Sequence, residues 1–331
     1  MQRKSLFDGY SCTFFLECVI ITYYFRKGSL VMERKTDIEN AVSIEYHADD
    51  YGLFPAQSQR ILDCCKNGRL NGVSIMPNSP CLHQCMEQMR SCGKEIAVTV
   101  HLNLIEGYSI CPREAVPDLT DPEGRLQVSF GKFLLRSFLP GRDKLRQQLK
   151  EELRAQIMML KDSMWAEMPL RLDSHAHYHM IPVVFDALMD VIREDQLAVS
   201  YIRIPREFPG LYFRHWKQLT DFSLVNMLKV TVLNLLAARN QYRYRSFLDK
   251  CEKKLFLGVF LSGRMYLENV APILPDAYDL AQRRHWNLEI LAHPGGVYEP
   301  EDIAQLTCKD DTAFLTSDKR KREASLFCGE L

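Results

Sequence analysis

The chain lacks net charge, with 42 Lys+Arg against 42 Asp+Glu over 331 residues. A nucleic-acid or anionic-membrane surface calls for a basic excess, so neither partner is expected. A membrane-length apolar run is also missing. Residues 12–25 (CTFFLECVIITYYF) give about 14 residues and contain Glu17, whereas a spanning helix needs roughly 20. No small-residue cleavage pattern follows that run before Arg26-Lys27, so neither a signal peptide nor a stable anchor is expected. No compact disulfide spacing organises the 11 cysteines. Cys64-Cys65, Cys81, Cys85 and Cys92 sit at helix-like spacing among apolar residues and read as reduced and mostly buried, which fits a cytoplasmic chain. A zinc site at Cys81 and Cys85 lacks a second pair. There is no internal repeat. No glycine-rich phosphate loop follows the first strand either, which disfavours a doubly wound nucleotide fold.

What the chain does have is a regular alternation. Hydrophobic residues make up 47% and charged residues 25%, which suits a substantial core. After residue 42, strands are predicted at Ser43–Ala48, Gly72–Met76, Ile96–Leu102, Leu170–His175, Val199–Ile204, Leu255–Phe260 and Leu288–Ala292, separated by helical patterns. Pro55 opens the first predicted helix and Gly68 closes it. Leu145, Leu149, Leu153, Ile157 and Leu160 mark one face of the clearest amphipathic helix, over 142–163. A long polar loop with Pro112, Pro117 and Pro122 follows the third strand, where such loops shape substrate sites. A further helix is predicted from Ser262-Gly263. Residues 205–250, rich in aromatics and arginine, read as a helical insertion. These features predict an α/β, (β/α)-barrel-like fold with about seven parallel strands. A single domain is expected over 43–331. Residues 1–42 are expected to be an extension outside it, with Met32 as an alternative start.

Several of the apolar runs end in ionisable groups, and parallel strands that carry such groups at their C-terminal ends converge on one site. The first run ends in Asp49-Asp50. Others end near His101, in DSHAHYH (Asp173, His175, His177, His179) and at His293. Adjacent side chains on a strand point to opposite faces. Where the chain turns at Gly52, however, both aspartates can reach one site, one as metal ligand and the other as general base. In DSHAHYH the alternating residues share one face while extended. Neighbours on that face are roughly 6.6 Å apart, and a ligand must lie within about 2.0–2.2 Å of its metal. One histidine, His175, is therefore the expected ligand, with Asp173 and the others orienting it or touching substrate. His47 shares the strand face of Asp49. His83, His215 and His285 lie in helical or inserted sequence and are assigned no chemistry. Imidazole and oxygen ligands beside a spare carboxylate point to metal-assisted hydrolysis.

HADDYG, VHLNL, DSHAHYHMIP and LAHPGG, in this order and spacing, resemble the motifs of the YdjC-like (ChbG/HpnK) carbohydrate deacetylases, from about Ser43 to Phe327. The resemblance implies a fold of the glycoside hydrolase/deacetylase type. It also implies removal of acetyl groups from N-acetylated sugars such as chitooligosaccharides, with a divalent metal. It puts the metal on Asp50, His101 and His175, makes Asp49 the base, and makes His293 the acid for the departing amine. His177, His179, Arg203 (in VSYIRIPRE) and Tyr298 are expected to bind substrate. The usual first motif has Asn where this chain has His47. Magnesium is the expected ion and zinc the alternative. A homodimer is a family-level expectation.

Two other readings compete. One is a metal-dependent aminohydrolase or phosphoesterase, although the HxH pair of amidohydrolase barrels lies on the first strand and HAHYH falls mid-chain. The other is a non-catalytic sugar binder with a vestigial site, whose sign would be loss of Asp49 or His293. Both residues are present.

Overall fold

The computed structural model describes residues 41–164, 168–220 and 223–328. The expected extension over 1–42 lies almost wholly outside the described residues. Seven strands form one sheet: β1 (Ile44–Tyr51), β2 (Gly72–Ile75), β3 (Ala97–Leu102), β4 (Leu170–Ser174), β5 (Val199–Ile202), β6 (Lys254–Leu257) and β7 (Asn287–Ala292). All the pairings are parallel, and the spatial order is β5-β4-β3-β2-β1-β7-β6. That is the cyclic order of a barrel, with no reversal at a switch point. The sheet curls until its edges are linked by one backbone bond, from Glu252 N–H to Ser200 O at 2.8 Å. The expected barrel-like α/β class is therefore met by a curled, seven-stranded sheet.

The two faces of the sheet differ in chemistry because successive side chains alternate. On the outer face Ala48, Val73, Ile75, Val100, Leu172, Leu288 and Ile290 are buried against helices. On the inner face Glu45, His47, Asp49, Ser74, Thr99, His101, Asp173 and Glu289 are buried with one another. An ordinary barrel fills that space with branched apolar residues. Here it holds charge.

The helices are α1 (Pro55–Asn67), α2 (Leu82–Arg90), α3 (Phe130–Arg136), α4 (Arg142–Met164), α5 (Pro182–Glu194), α6 (Pro209–Arg214), α7 (Leu224–Arg243), α8 (Leu274–Arg284), α9 (Lys309–Leu315) and α10 (Lys319–Glu323), with a few shorter turns between them. The predicted face of α4 is fully buried, and the helix packs on α5. The insertion is helical, as expected, through α6 and α7. The helix expected from Ser262-Gly263 starts later, after a short turn at Leu267–Val270, because Gly263 takes a left-handed φ of 72°.

The loops at the C-terminal end of the sheet are held by buried carboxylates. Glu152 on α4 accepts from the amides of Ile110 and Cys111, at 3.0 and 2.9 Å. Glu106 accepts from Thr307 N and Cys308 N, at 2.7 and 2.9 Å, and so seats the start of α9. Glu323 on α10 accepts from His293 N at 2.7 Å and Met265 N at 3.2 Å. Glu207 accepts from the amides of Gly258, Val259 and Phe260, at 2.6, 2.7 and 2.8 Å. Burial pushes the Glu207 carboxyl up to about 7 against the pull of those amides.

Removing the acceptor would strand three buried donors. Glu207→Ala is expected to lose about 3 kcal/mol of stability in urea unfolding, whereas Glu207→Gln, which keeps one acceptor oxygen, should lose less. Equal stability of Glu207→Ala and the parent chain would show that the 258–260 segment is held by something else.

Candidate functional site

β1 does not end as a regular strand. Its register with β2 is interrupted between Ala48 and Tyr51, and Asp50 takes φ 66°. Aspartate tolerates that left-handed conformation better than most residues. The kink turns both carboxylates toward one region, as the turn near Gly52 was expected to do.

Asp50, His101 and His175 each bring a ligand atom within 4.8 Å of the others'. Asp50 Oδ1 lies 2.7 Å from His175 Nδ1 and 3.3 Å from His101 Nε2, and Asp50 Oδ2 accepts from Arg320 at 2.7 Å. His101 uses Nδ1 on Asp173 at 2.7 Å, which leaves its buried Nε2 without a hydrogen-bond partner. That atom is the test of fit for a cation. A carboxylate on one nitrogen fixes the ring and aims the other at a metal, the usual outer-shell arrangement. Electrostatics agree. Burial works against a protonated His101, yet Asp173 and Asp49 raise its pKa to about 9. Burial likewise opposes His175⁺, but Asp311 and Asp50 raise it well above the ordinary value. Carboxylates that hold a proton this firmly also favour a cation. Burial alone would raise the Asp50 carboxyl, and His175 with Arg320 holds it well below the usual range.

Asp49 stands beside this group with a partner of its own. Arg203 Nη1 lies 2.9 and 3.0 Å from its two oxygens. Arg203 also pairs with Asp173 and with Glu289, and none of its side chain is exposed. Burial would raise the Asp49 carboxyl, but Arg203 and His101 lower it, so it stays ionised at neutral pH.

A cavity of 600 Å³ opens over these residues, and Asp49, His175, His177, His293, Asp311 and Lys229 are among its lining. His293 follows β7, half-buried, with Nδ1 3.5 Å from Glu323 Oε2 and its ring edge-on to Phe314. Lys229, Val232 and Leu233 bring α7 of the insertion into the wall.

The DSHAHYH segment departs from expectation. β4 stops at Ser174, and residues 175–180 form a 3₁₀ turn with Ala176 at φ 48° and His177 at φ 58°. The histidines therefore do not share a strand face. Left-handed φ at two such residues costs about 1–3 kcal/mol each, and it separates three roles. His175 joins Asp50 and His101. His177 lines the cavity with Nδ1 unbonded, and burial with Arg203 nearby holds its pKa well below the ordinary value. His179 is fully buried, with Nδ1 2.7 Å from Ser174 Oγ and Nε2 2.7 Å from Arg203 O. It has no free face for substrate. Arg203 has none either, and it acts by holding Asp49. Tyr298 does not line the cavity; its hydroxyl donates to Ser317 O at 3.2 Å, with Arg60 and Lys321 over its ring.

Two residues at the site were not foreseen. Asp311 on α9 pairs with His175 Nε2 at 2.7 Å, and Arg320 on α10 pairs with Asp50. Neither follows a strand. Arg320 sits in KRKRE, a run that reads as a solvated helix face.

Removing Arg320 would take from the buried Asp50 one of its cationic partners and leave it on the histidines alone. Arg320→Met is expected to cost about 3–5 kcal/mol in denaturant unfolding, and added Zn²⁺ or Mn²⁺ should recover part of that loss. Full stability without added metal would show that Asp50 does not need this partner.

Comparison with known proteins gives the following. The family model for YdjC-like protein matches residues 44–330. The chain is 32% identical over 161 residues to the chitooligosaccharide deacetylase of Klebsiella pneumoniae (strain 342), covering 49% of this chain and 58% of that one. It is 29% identical over 161 residues to the carbohydrate deacetylase of Mus musculus, covering 48% and 49%. A longer match, 23% identical over 281 residues, covers 80% of this chain and 85% of the carbohydrate deacetylase of Xenopus laevis. The chain thus spans about half the length of the first two of these relatives. A crystal structure of a protein named for cellobiose-phosphate cleavage, from Enterococcus faecalis V583, shares the fold with a TM-score of 0.56 at 20% identity, covering 86% of this chain and 94% of that one.

Proposed function

The chain belongs to the YdjC-like family, and from that premise we propose that it is a metal-dependent carbohydrate deacetylase. Its substrate would be an N-acetylated sugar of the chitooligosaccharide kind, and its products acetate and the free amine. One observation carries the reading. Beside the Asp50–His101–His175 group, with its unbonded His101 nitrogen, stands a separate carboxylate, Asp49, that Arg203 keeps ionised. A ligand set and an independent base at one cavity are what amide hydrolysis requires.

Asp50, His101 and His175 would hold the divalent ion, which supplies a Lewis acid for the acetamide carbonyl. Magnesium is the expected ion and zinc the alternative. Asp49 takes the proton of the attacking water while the water oxygen bonds to the acyl carbon. Arg203 holds the Asp49 carboxylate in place as the proton arrives. The C–N bond then breaks, and the nitrogen takes a proton from His293, whose backbone is held by Glu323 and whose ring packs edge-on to Phe314. His177, neutral and facing the cavity, is a contact for the sugar. The nine described cysteines are all free, which supports the cytoplasmic expectation. Among the described residues no helix is long and apolar enough to cross a membrane.

The test is acetate release from diacetylchitobiose and longer N-acetylglucosamine oligomers, with metal-stripped protein and Mg²⁺ or Zn²⁺ restored. Release is expected only with metal. Asp49→Asn should lower kcat by at least about 10²-fold, within the range for general-base loss. His293→Gln should lower kcat more than it changes KM. Metal binding without release from any of these sugars would move the reading to another acylated substrate.

A further inference from the structure

Beneath the ligand group a line of buried polar side chains takes no part in the reaction just described. Asp173, which holds His101, accepts a short hydrogen bond from Ser74 Oγ. Ser74 Oγ lies 2.7 Å from His47 Nε2, and His47 Nδ1 lies 2.7 Å from Glu45 Oε1. Glu45 is fixed in turn by Arg171, at 2.6 and 2.8 Å, and by Lys254. His47, Ser74, Asp173 and His101 are all 0% exposed.

We propose that Glu45, His47 and Ser74 form a positioning relay that fixes Asp173 and, through it, the metal-facing nitrogen of His101. Two of the bond directions follow from counting donors and acceptors. The Glu45 oxygens already accept from Arg171 and Lys254, so His47 Nδ1 donates to Glu45. The single hydroxyl proton of Ser74 goes to the charged acceptor, Asp173, as the stronger bond. His47 Nε2 stands 2.7 Å from the same Ser74 Oγ and holds it in place. The line ends on a carboxylate at each side, Glu45 and Asp173, and no member can turn without losing a partner. Asp173 therefore presents Oδ1 to His101 Nδ1, and His101 Nε2 is left facing Asp50 and His175.

Two further observations support the relay. Gly72 leaves the space the ring needs, since a Cβ there would lie 2.6 Å from His47 Nδ1 and 2.9 Å from Glu45 Oε1. Arg203 contacts the same Asp173 carboxylate from β5, so Ser74 is the neutral donor that completes its shell.

The inference rests on His101 as a metal ligand, not on the identity of the sugar. Its test is Co²⁺ and Zn²⁺ affinity of the full chain, measured by competition with a chelator, alongside urea unfolding of the metal-free protein. Ser74→Ala is expected to weaken both ions by about 10–100-fold, the usual effect of removing an outer-shell partner. Ser74→Cys keeps the shape with a weaker donor, should fall between, and is the variant to read if Ser74→Ala does not fold. His47→Leu should weaken binding in the same direction. Binding by both Ser74 variants within twofold of the parent chain would overturn the relay while leaving the ligand assignment intact. Absence of metal binding by the parent chain would overturn both.

Discussion

One buried guanidinium, Arg203, is shared among the carboxylates of Asp49, Asp173 and Glu289, and the polar interior of the sheet depends on that sharing. The three acids come from β1, β4 and β7, and Arg203 leaves the end of β5. Charges taken out of water each carry a desolvation cost of several kcal/mol, and they persist only when paired and hydrogen-bonded. A planar, permanently charged fork with five donors can serve several carboxylates at once, which an ammonium group cannot match. Arg203 thus ties together strands far apart in sequence and sets the charge state of the residue proposed as base. Stability and chemistry use the same bonds here.

The sheet could be read from the sequence because its outer face is ordinary. Val73, Ile75, Val100, Leu172 and Ile290 give the apolar signal, and all seven predicted strands lie within a few residues of those observed. The buried face of α4 was legible for the same reason, since Leu145 through Leu160 recur at helical spacing. That Asp50, His101 and His175 come together could be expected because each lies at or just past the C-terminal end of a strand in a parallel sheet. The roles of His177 and His179 could not. A period-two pattern assumes extended backbone, and the left-handed turn at Ala176 and His177 breaks that assumption with no glycine to announce it. Asp311 and Arg320 were hidden for another reason. A charged residue on a short helix gives no local sign of burial, because its partner lies more than a hundred residues away.

Around the site, carboxylates do three kinds of work, and sequence does not distinguish them. Asp49 lines the cavity, and Asp50 pairs with His175 and Arg320. Asp173, Glu289 and Glu45 neutralise buried cations. Glu106, Glu152, Glu207 and Glu323 accept backbone amides and so hold loops in place. The last group explains how irregular segments keep a fixed wall around a charged interior, because buried amides need acceptors as much as buried acids need donors. Glu207 links the insertion to the segment after β6, so the helices that border the cavity are not free to drift from it.

The pairing of Asp50 with Arg320 also gives the chain a direction in time. The two residues are 270 positions apart, and domains form as they leave the ribosome, N-terminal part first. At roughly 5–20 residues per second, β1 is made well before the helix that supplies its counter-charge. Until β7 is made, β1 lacks its neighbour on that edge, and until α10 follows, Asp50 has no guanidinium. The ligand group is therefore made well before the guanidinium that Asp50 pairs with in the folded chain.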